Sequence, residues 1–231
     1  MTDTRTEARE RLETARHEAG HVLAAWWNGQ AVYAVEMRTA EEGGAREDRR
    51  GRVADAGTLA YTEAAKFIGA PALAAAHPET MAQTPPELLR EMVARDLLYT
   101  LAGPAADWRQ QRDPEEVRAT LAHHLEEWLG GCAGDLEQAG YLLALLPEEE
   151  REEAHAAACQ RAAALVCRYW PELCALAERL NAAERLEGDD LEAVLSETLG
   201  DAPEWRGRAL EELDPPRLTL GTAHRLVEHN P

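Results

Sequence analysis

A short segment near the amino terminus, His17-Glu18-Ala19-Gly20-His21, carries side chains that can build a hydrolytic metal site. Residues four apart on an α-helix project from nearly the same face, so both imidazoles can bind one zinc ion (Zn²⁺). Glu18 can reach the open fourth position and take a proton from a water molecule that the metal acidifies. The motif thus predicts His17 and His21 as ligands and Glu18 as the general base, and it requires a third ligand from elsewhere.

This geometry requires a helix, and the residues around the motif predict one from about residue 4 to residue 27. Its apolar positions recur at spacings of three and four: Leu12, Ala15, Ala19, Val22, Leu23 and Trp26. The Asn28-Gly29 pair that follows favours a helix end. Residues 30–38 then alternate as in a strand, and residues 52–61 predict a second strand.

The remainder of the sequence predicts helices almost throughout. Pro85-Pro86 begins one helix, and another begins near Gly134 or Asp135 after a glycine-rich turn. Alanine and leucine dominate the apolar residues, whereas β-branched and aromatic residues are scarce. We therefore expect a mainly α fold with a small β element, in which the motif helix is followed by a short sheet and a helical bundle.

The length of 231 residues fits one domain, or a compact domain with an appendage. We assign residues 1–200 to the domain and residues 201–231 to a proline-containing C-terminal extension. No apolar run is long enough to span a bilayer, and the amino terminus has no hydrophobic signal region, so we expect a cytoplasmic protein without a membrane span.

The net charge and the near absence of lysine each argue against one class of function. The 24 basic and 43 acidic residues give a net charge of −19, which argues against nucleic-acid binding through phosphate neutralisation. The only lysine, Lys66, lies in Ala-Ala-Lys-Phe-Ile, so the chain has no P-loop for nucleotide phosphates. The cysteines include no Cys-x-x-Cys pair and are interpreted as small buried hydrophobes: Cys132, Cys159, Cys167 and Cys174.

Several segments resemble the FtsH family of zinc metallopeptidases. Ala15–Trp26 resembles its catalytic helix, which has His-Glu-Ala-Gly-His followed by small and apolar residues, and Val32–Met37 resembles the strand that follows. Leu89–Asp107, which includes Leu101-Ala102-Gly103-Pro104-Ala105-Ala106-Asp107, resembles the family's Gly-Gly-Arg-Ala-Ala-Glu segment. Gly134–Ala139 resembles its Asn-Asp-Leu-x-x-Ala motif, and Leu173–Leu195 resembles its closing helices.

The resemblance implies an FtsH-like zincin peptidase fold with zinc as cofactor and Asp135 as the third ligand. From the residues alone, Asp135 opens a helix, so an N-cap role is an open alternative. The likeness covers the peptidase domain, and we expect this domain to stand without the ATPase module of the family. The family's peptidase domains assemble as rings, which implies a homo-oligomer.

We therefore expect a zinc metalloendopeptidase that hydrolyses peptides or unfolded proteins, with a separate unfoldase as a candidate partner. One alternative is a non-catalytic binding or adaptor protein with a structural metal. Another is a helical protein with a fortuitous motif. A second candidate metal cluster consists of His123, His124, Glu127 and Cys132.

Overall fold

The computed structural model describes residues 4–37, 46–47, 53–54, 60–127, 133–201, 203 and 207–214. The helices are α1 Thr4–Trp27, α2 Pro71–Ala76, α3 Pro86–Gln111, α4 Pro114–Glu127, α5 Ala133–Ala144, α6 Glu148–Arg168, α7 Trp170–Ala182 and α8 Gly188–Leu199. The strands are β1 Val32–Met37, β2 Arg46–Glu47, β3 Val53–Ala54, β4 Ala60–Ala64 and β5 Arg185–Glu187. Two 3₁₀ turns lie at Pro78–Met81 and Leu210–Leu213. The expectation of a mainly helical fold with a small β element is confirmed.

The main sheet is antiparallel and has the order β4-β1-β5. Val35 of β1 pairs with Thr62 of β4 on one side and with Leu186 of β5 on the other. The strand expected over residues 52–61 is wrong in position, because the segment that pairs with β1 is residues 60–64. This pairing depends on a partner distant in sequence, which local alternation does not reveal. Strands β2 and β3 pair separately with each other.

Helix α1 forms the centre of the core, where it packs against α3 and α7. Leu23 and Trp27 of α1 are fully buried, as are Leu97 and Leu101 of α3. The two helix backbones approach closely at Gly20, where an added Cβ would collide with the carbonyl group of Ala102. This close approach presses the motif face of α1 against α3.

Residues 207–214 also contribute to this core. The backbone N–H of Arg208 donates to the carbonyl of Trp27 at 2.9 Å. Leu210 and Leu213 are buried, and their 3₁₀ turn contacts α6. The Arg161 guanidinium pairs with the Asp214 carboxylate at 2.7 Å. The domain boundary at residue 200 stays a prediction.

None of the helices within the described ranges combines the length and apolar character needed to cross a bilayer. Cys159, Cys167 and Cys174 form no disulfide with one another; Cys159 is buried and the other two are half-buried. Cys132 lies outside the described residues. A cytoplasmic location stays a prediction.

A buried carboxylate on α3, Asp96, joins the turns that follow α1 and β4. Asp96 has no exposed area. Its oxygens accept hydrogen bonds from the Gln30 side chain at 3.1 Å and from the backbone N–H groups of Phe67 at 3.1 Å and Ile68 at 2.7 Å. Burial raises the pKa of Asp96 to about 6, although these hydrogen bonds and the charge of Lys66 oppose the shift. Asp96 thus links α3 to the turns that follow α1 and β4, and α1 carries the motif.

The substitution Asp96→Asn should cost less stability at pH 7.5 than at pH 5.5. The folded-state pKa of about 6 exceeds the ordinary value of 3.8, so stability from the protonated carboxyl is largest at low pH and is lost as the pH rises through 6. Asparagine does not titrate, so the wild-type advantage should shrink by roughly 1 kcal/mol between the two pH values. Urea unfolding of both proteins measures this difference, and an advantage that grows with pH would contradict it.

Candidate metal centre

Three side chains from α1 and α5 converge on one point. The Nε2 atoms of His17 and His21 lie 3.1 Å apart. Asp135 places Oδ2 at 3.1 Å from His17 Nε2 and Oδ1 at 3.5 Å from His21 Nε2. In a tetrahedral zinc site with bonds of about 2.0–2.1 Å, ligand atoms are separated by about 3.3 Å. The separations in this cluster therefore fit a zinc ion, and no other group of three such side chains occurs in the described part of the chain.

The opposite side of each imidazole is held by an acceptor on α3. His17 Nδ1 lies 2.7 Å from the Asp107 carboxylate, and His21 Nδ1 lies 2.8 Å from the backbone carbonyl of Tyr99. Because these groups accept hydrogen bonds, each Nδ1 carries a hydrogen and each neutral ring keeps its Nε2 lone pair. Such contacts orient metal-binding histidines and increase their basicity. The converging lone pairs require a proton or a metal cation between them.

The charges in the cluster favour a bound cation. Burial lowers the pKa of His17, but the hydrogen bonds and charges of Asp107 and Asp135 outweigh it and raise this pKa well above the ordinary value. Burial also raises the pKa of the Asp135 carboxyl, whereas the charges and hydrogen bonds of His21 and His17 lower it overall. Both carboxylates therefore favour a positive charge at this cluster, which a proton or a bound divalent cation can supply.

Gly103 on α3 makes room for both imidazoles. A Cβ on this residue would lie 2.5 Å from His21 Nε2 and 2.8 Å from His17 Nε2, closer than van der Waals contact allows. Sequence reasoning assigned no role to Gly103, and it noted Asp107 only as part of a segment that resembles the FtsH family. Their roles depend on the packing of α3 against α1, which no local pattern reveals. The available sequence signal for these roles was a small residue, Gly103, followed four positions later by an acidic residue, Asp107.

Asp135 is the third residue of α5, which begins at Ala133. Asp135 therefore lies inside the first turn of α5, and the alternative of an N-cap role for Asp135 is wrong. Its carboxylate is directed at the two histidines, and its side chain is 23% exposed. The first turn of a helix favours an acidic residue, so this position also suits the helix dipole.

Glu18 directly follows His17 on α1, and its side chain contacts a strand. It is buried, with 5% of its surface exposed. Its Oε2 atom accepts a hydrogen bond of 2.7 Å from the hydroxyl of Thr62 on β4. Thr62 was not predicted from the sequence, because its contact with Glu18 joins residues 44 positions apart. The structure thus brings three of the predicted site residues, His17, His21 and Asp135, to one point. The fourth, Glu18, follows His17 in the chain, and its carboxylate contacts Thr62 of β4.

The second candidate cluster is not supported by the described side chains. The ring of His124 stacks on Trp108, with centroids 3.5 Å apart and an interplanar angle of 12°. His123 is exposed. Cys132 and the side chain of Glu127 lie outside the described residues, so a cluster of all four residues stays a prediction.

We compared the chain with models of protein families, with curated proteins and with solved structures, and none of them matches it. The similarity to the FtsH family therefore rests on the sequence motifs and stays a prediction. Function must accordingly be inferred from the chemistry of the site.

Proposed function

We propose that this chain is a zinc-dependent metalloendopeptidase that hydrolyses peptide bonds of flexible or unfolded polypeptides. The observation that carries the proposal is the convergence of His17, His21 and Asp135, with separations of 3.1–3.5 Å. Glu18, the candidate base, directly follows His17 on α1. Two histidines and one carboxylate, with a position left for water, are typical of catalytic zinc sites.

The residues of the site divide the reaction between them. His17, His21 and Asp135 would hold the zinc ion, which when bound supplies Lewis-acid chemistry by acidifying water and polarising a carbonyl. Glu18 takes the proton from the attacking water and then passes it to the leaving amine. Asp107 and the carbonyl of Tyr99 keep the two imidazoles in the orientation that ligation requires. Burial of Glu18 keeps bulk water away from this proton transfer.

The sheet offers a means of aligning the substrate. Within the described residues, β4 pairs with β1 on one side and is an edge strand. Thr62 of this strand touches Glu18, so an extended peptide added along the edge would pass beside the base. Strand addition needs an extended backbone, which favours flexible segments and unfolded chains over compact domains. A separate unfoldase and assembly into a homo-oligomer belong to the same proposal.

The main alternative is a non-catalytic adaptor with a structural metal. Structural zinc sites are closed by four protein ligands, whereas catalytic sites keep one position open. Three ligating groups, not four, converge among the described residues. Glu18, which can act as a base, directly follows one of them in the chain. This count favours the enzyme over the adaptor.

Removal and return of zinc tests the proposal. We expect the purified chain to bind one equivalent of zinc and to cleave casein, an unstructured substrate. Treatment with 1,10-phenanthroline should abolish cleavage, and one equivalent of zinc should restore it, because the metal supplies the Lewis acid. A tightly folded protein of similar size is the control substrate and should resist cleavage.

The other outcomes separate the alternatives. Stoichiometric zinc without cleavage of casein would favour the adaptor. A chain that binds no stoichiometric metal would favour the fortuitous motif. Cleavage that persists after complete removal of metal would contradict the proposed mechanism.

A further inference from the structure

The hydroxyl of Thr62 is the feature that prompts a further inference, which rests on the proposed function. It donates to Glu18 Oε2 at 2.7 Å, while the Glu18 side chain is buried against β4. No other hydrogen bond to this carboxylate occurs in the described part of the chain. One of the two oxygens of Glu18 is therefore fixed by the strand, and the other is left for proton transfer.

Packing alone does not explain a hydroxyl at this position. The side chains on the same face of β1 and β4 are apolar, and they include Val35, Met37, Ala60 and Ala64. Valine has nearly the same shape as threonine and suits a strand equally well. The one property that threonine adds here is a donor, and the acceptor that it reaches is Glu18.

Tyr99 connects Thr62 to the histidine side of the site. Its hydroxyl donates to the backbone carbonyl of Thr62 at 3.1 Å. Its own backbone carbonyl accepts from His21 Nδ1 at 2.8 Å, and its ring lies 5.1 Å from the His21 ring, centroid to centroid. Tyr99 is 4% exposed, so these contacts form inside the core. One residue of α3 thus sets the position of His21 and of the strand that carries Thr62.

We propose that Thr62 is the positioning residue of the general base, and that Tyr99 keeps it in register with the ligand His21. The Thr62 hydroxyl restricts rotation of the Glu18 carboxylate and directs its free oxygen toward the attacking water. The same hydrogen bond is available after Glu18 has taken the proton, because the hydroxyl donates to the oxygen that is not protonated. Thr62 itself exchanges no proton with the substrate.

Matched substitutions at Thr62 test this assignment. Thr62→Val keeps the shape and removes the donor, and Thr62→Ser keeps the donor and removes a methyl group. We expect Thr62→Val to lower kcat by about 10- to 100-fold through misplacement of the base, with KM within about twofold of wild type. Thr62→Ser should stay within about threefold of wild type. Zinc affinity, measured by chelator competition, should be unchanged in both variants, because the Thr62 side chain does not contact a predicted zinc ligand.

Two comparisons isolate the role of Glu18. In a Glu18→Gln background, the added Thr62→Val substitution should cause no further loss, because the group that Thr62 positions is already inactive. Thr198→Val is the control, since the hydroxyl of Thr198 bonds to the Val194 carbonyl of its own helix at 2.7 Å. This control should leave kcat, KM and zinc affinity unchanged.

Each other outcome contradicts a specific statement. If wild type cleaves casein and Glu18→Gln does not, but Thr62→Val retains the wild-type kcat, the positioning role is wrong and the proposed function stands. If Thr62→Ser is as defective as Thr62→Val, the hydroxyl is not the cause. If Thr62→Val does not fold, Tyr99→Phe replaces it, and an unchanged kcat in that variant contradicts the assignment. If wild type cleaves no substrate while holding zinc, both proposals fall.

Discussion

Glu18→Gln should retain a full equivalent of zinc and lose nearly all peptide hydrolysis. The amide has the shape of the carboxylate and can still accept the hydrogen bond from Thr62, so the fold and the three ligands are undisturbed. It cannot take a proton from water, and loss of a positioned general base costs on the order of 10²- to 10⁴-fold in rate. Cleavage of casein, together with the zinc content of the same sample, measures both parts of this expectation.

A second glutamate on α1 provides the matched control for this variant. Glu13 lies on the same helix, pairs with Arg9 at 2.8 Å and is 40% exposed. Glu13→Gln should therefore leave both zinc content and cleavage unchanged. If Glu18→Gln cleaves casein as well as wild type, the proposed mechanism is wrong. If it loses zinc, the effect is structural and Glu18 has not been tested as a base, so metal content decides how the rate is interpreted.

Asp135→Ala should lose both zinc and hydrolysis. The substitution removes one of three ligand groups and leaves His17 and His21 as a two-ligand site. Loss of an outer contact to a ligand already weakens metal binding by about 10- to 100-fold, and loss of the ligand itself should cost about 100-fold or more. Chelator competition measures the affinity, and cleavage at a fixed zinc concentration measures the consequence.

Asp190→Ala distinguishes a ligand from a favourable residue at a helix start. Asp190 is the third residue of α8, as Asp135 is of α5, and it is exposed. If Asp135 only stabilises the first turn of its helix, the two variants should behave alike, with a small loss of stability. If Asp135 is a zinc ligand, only its substitution should reduce metal affinity.

Together, Asp135→Ala and Glu18→Gln also distinguish the alternative functions. A structural metal predicts that Asp135→Ala loses zinc and stability while Glu18→Gln changes nothing measurable. A catalytic metal predicts that the variants lose the same activity for different reasons. A fortuitous motif predicts that neither substitution alters metal content, because wild type has none to lose.

The motif helix and most of the later helices could be predicted because their signals are local, whereas α2 and the sheet strand β5 were not predicted. A spacing of four residues defines one helix face, so His17 and His21 had to share a side of α1 once that segment was helical. The apolar spacing around them predicted that helix to residue 27, which is where α1 ends. The second strand was misplaced because β4 exists through its pairing with β1, and pairing depends on a distant partner.

Local spacing in the chain was thus sufficient to identify a pair of imidazoles with a neighbouring carboxylate, since helix geometry alone brings these groups together. The groups that surround them arrive through contacts between residues far apart: Thr62, Tyr99 and Asp107 reach the motif over separations of 44, 78 and 90 residues. Such contacts depend on how closely α1 and α3 approach, and on which face of β4 turns toward the helix. Tertiary packing decided both, and Gly20 and Gly103 permit the first, because they lack the Cβ atoms that would hold α1 and α3 apart.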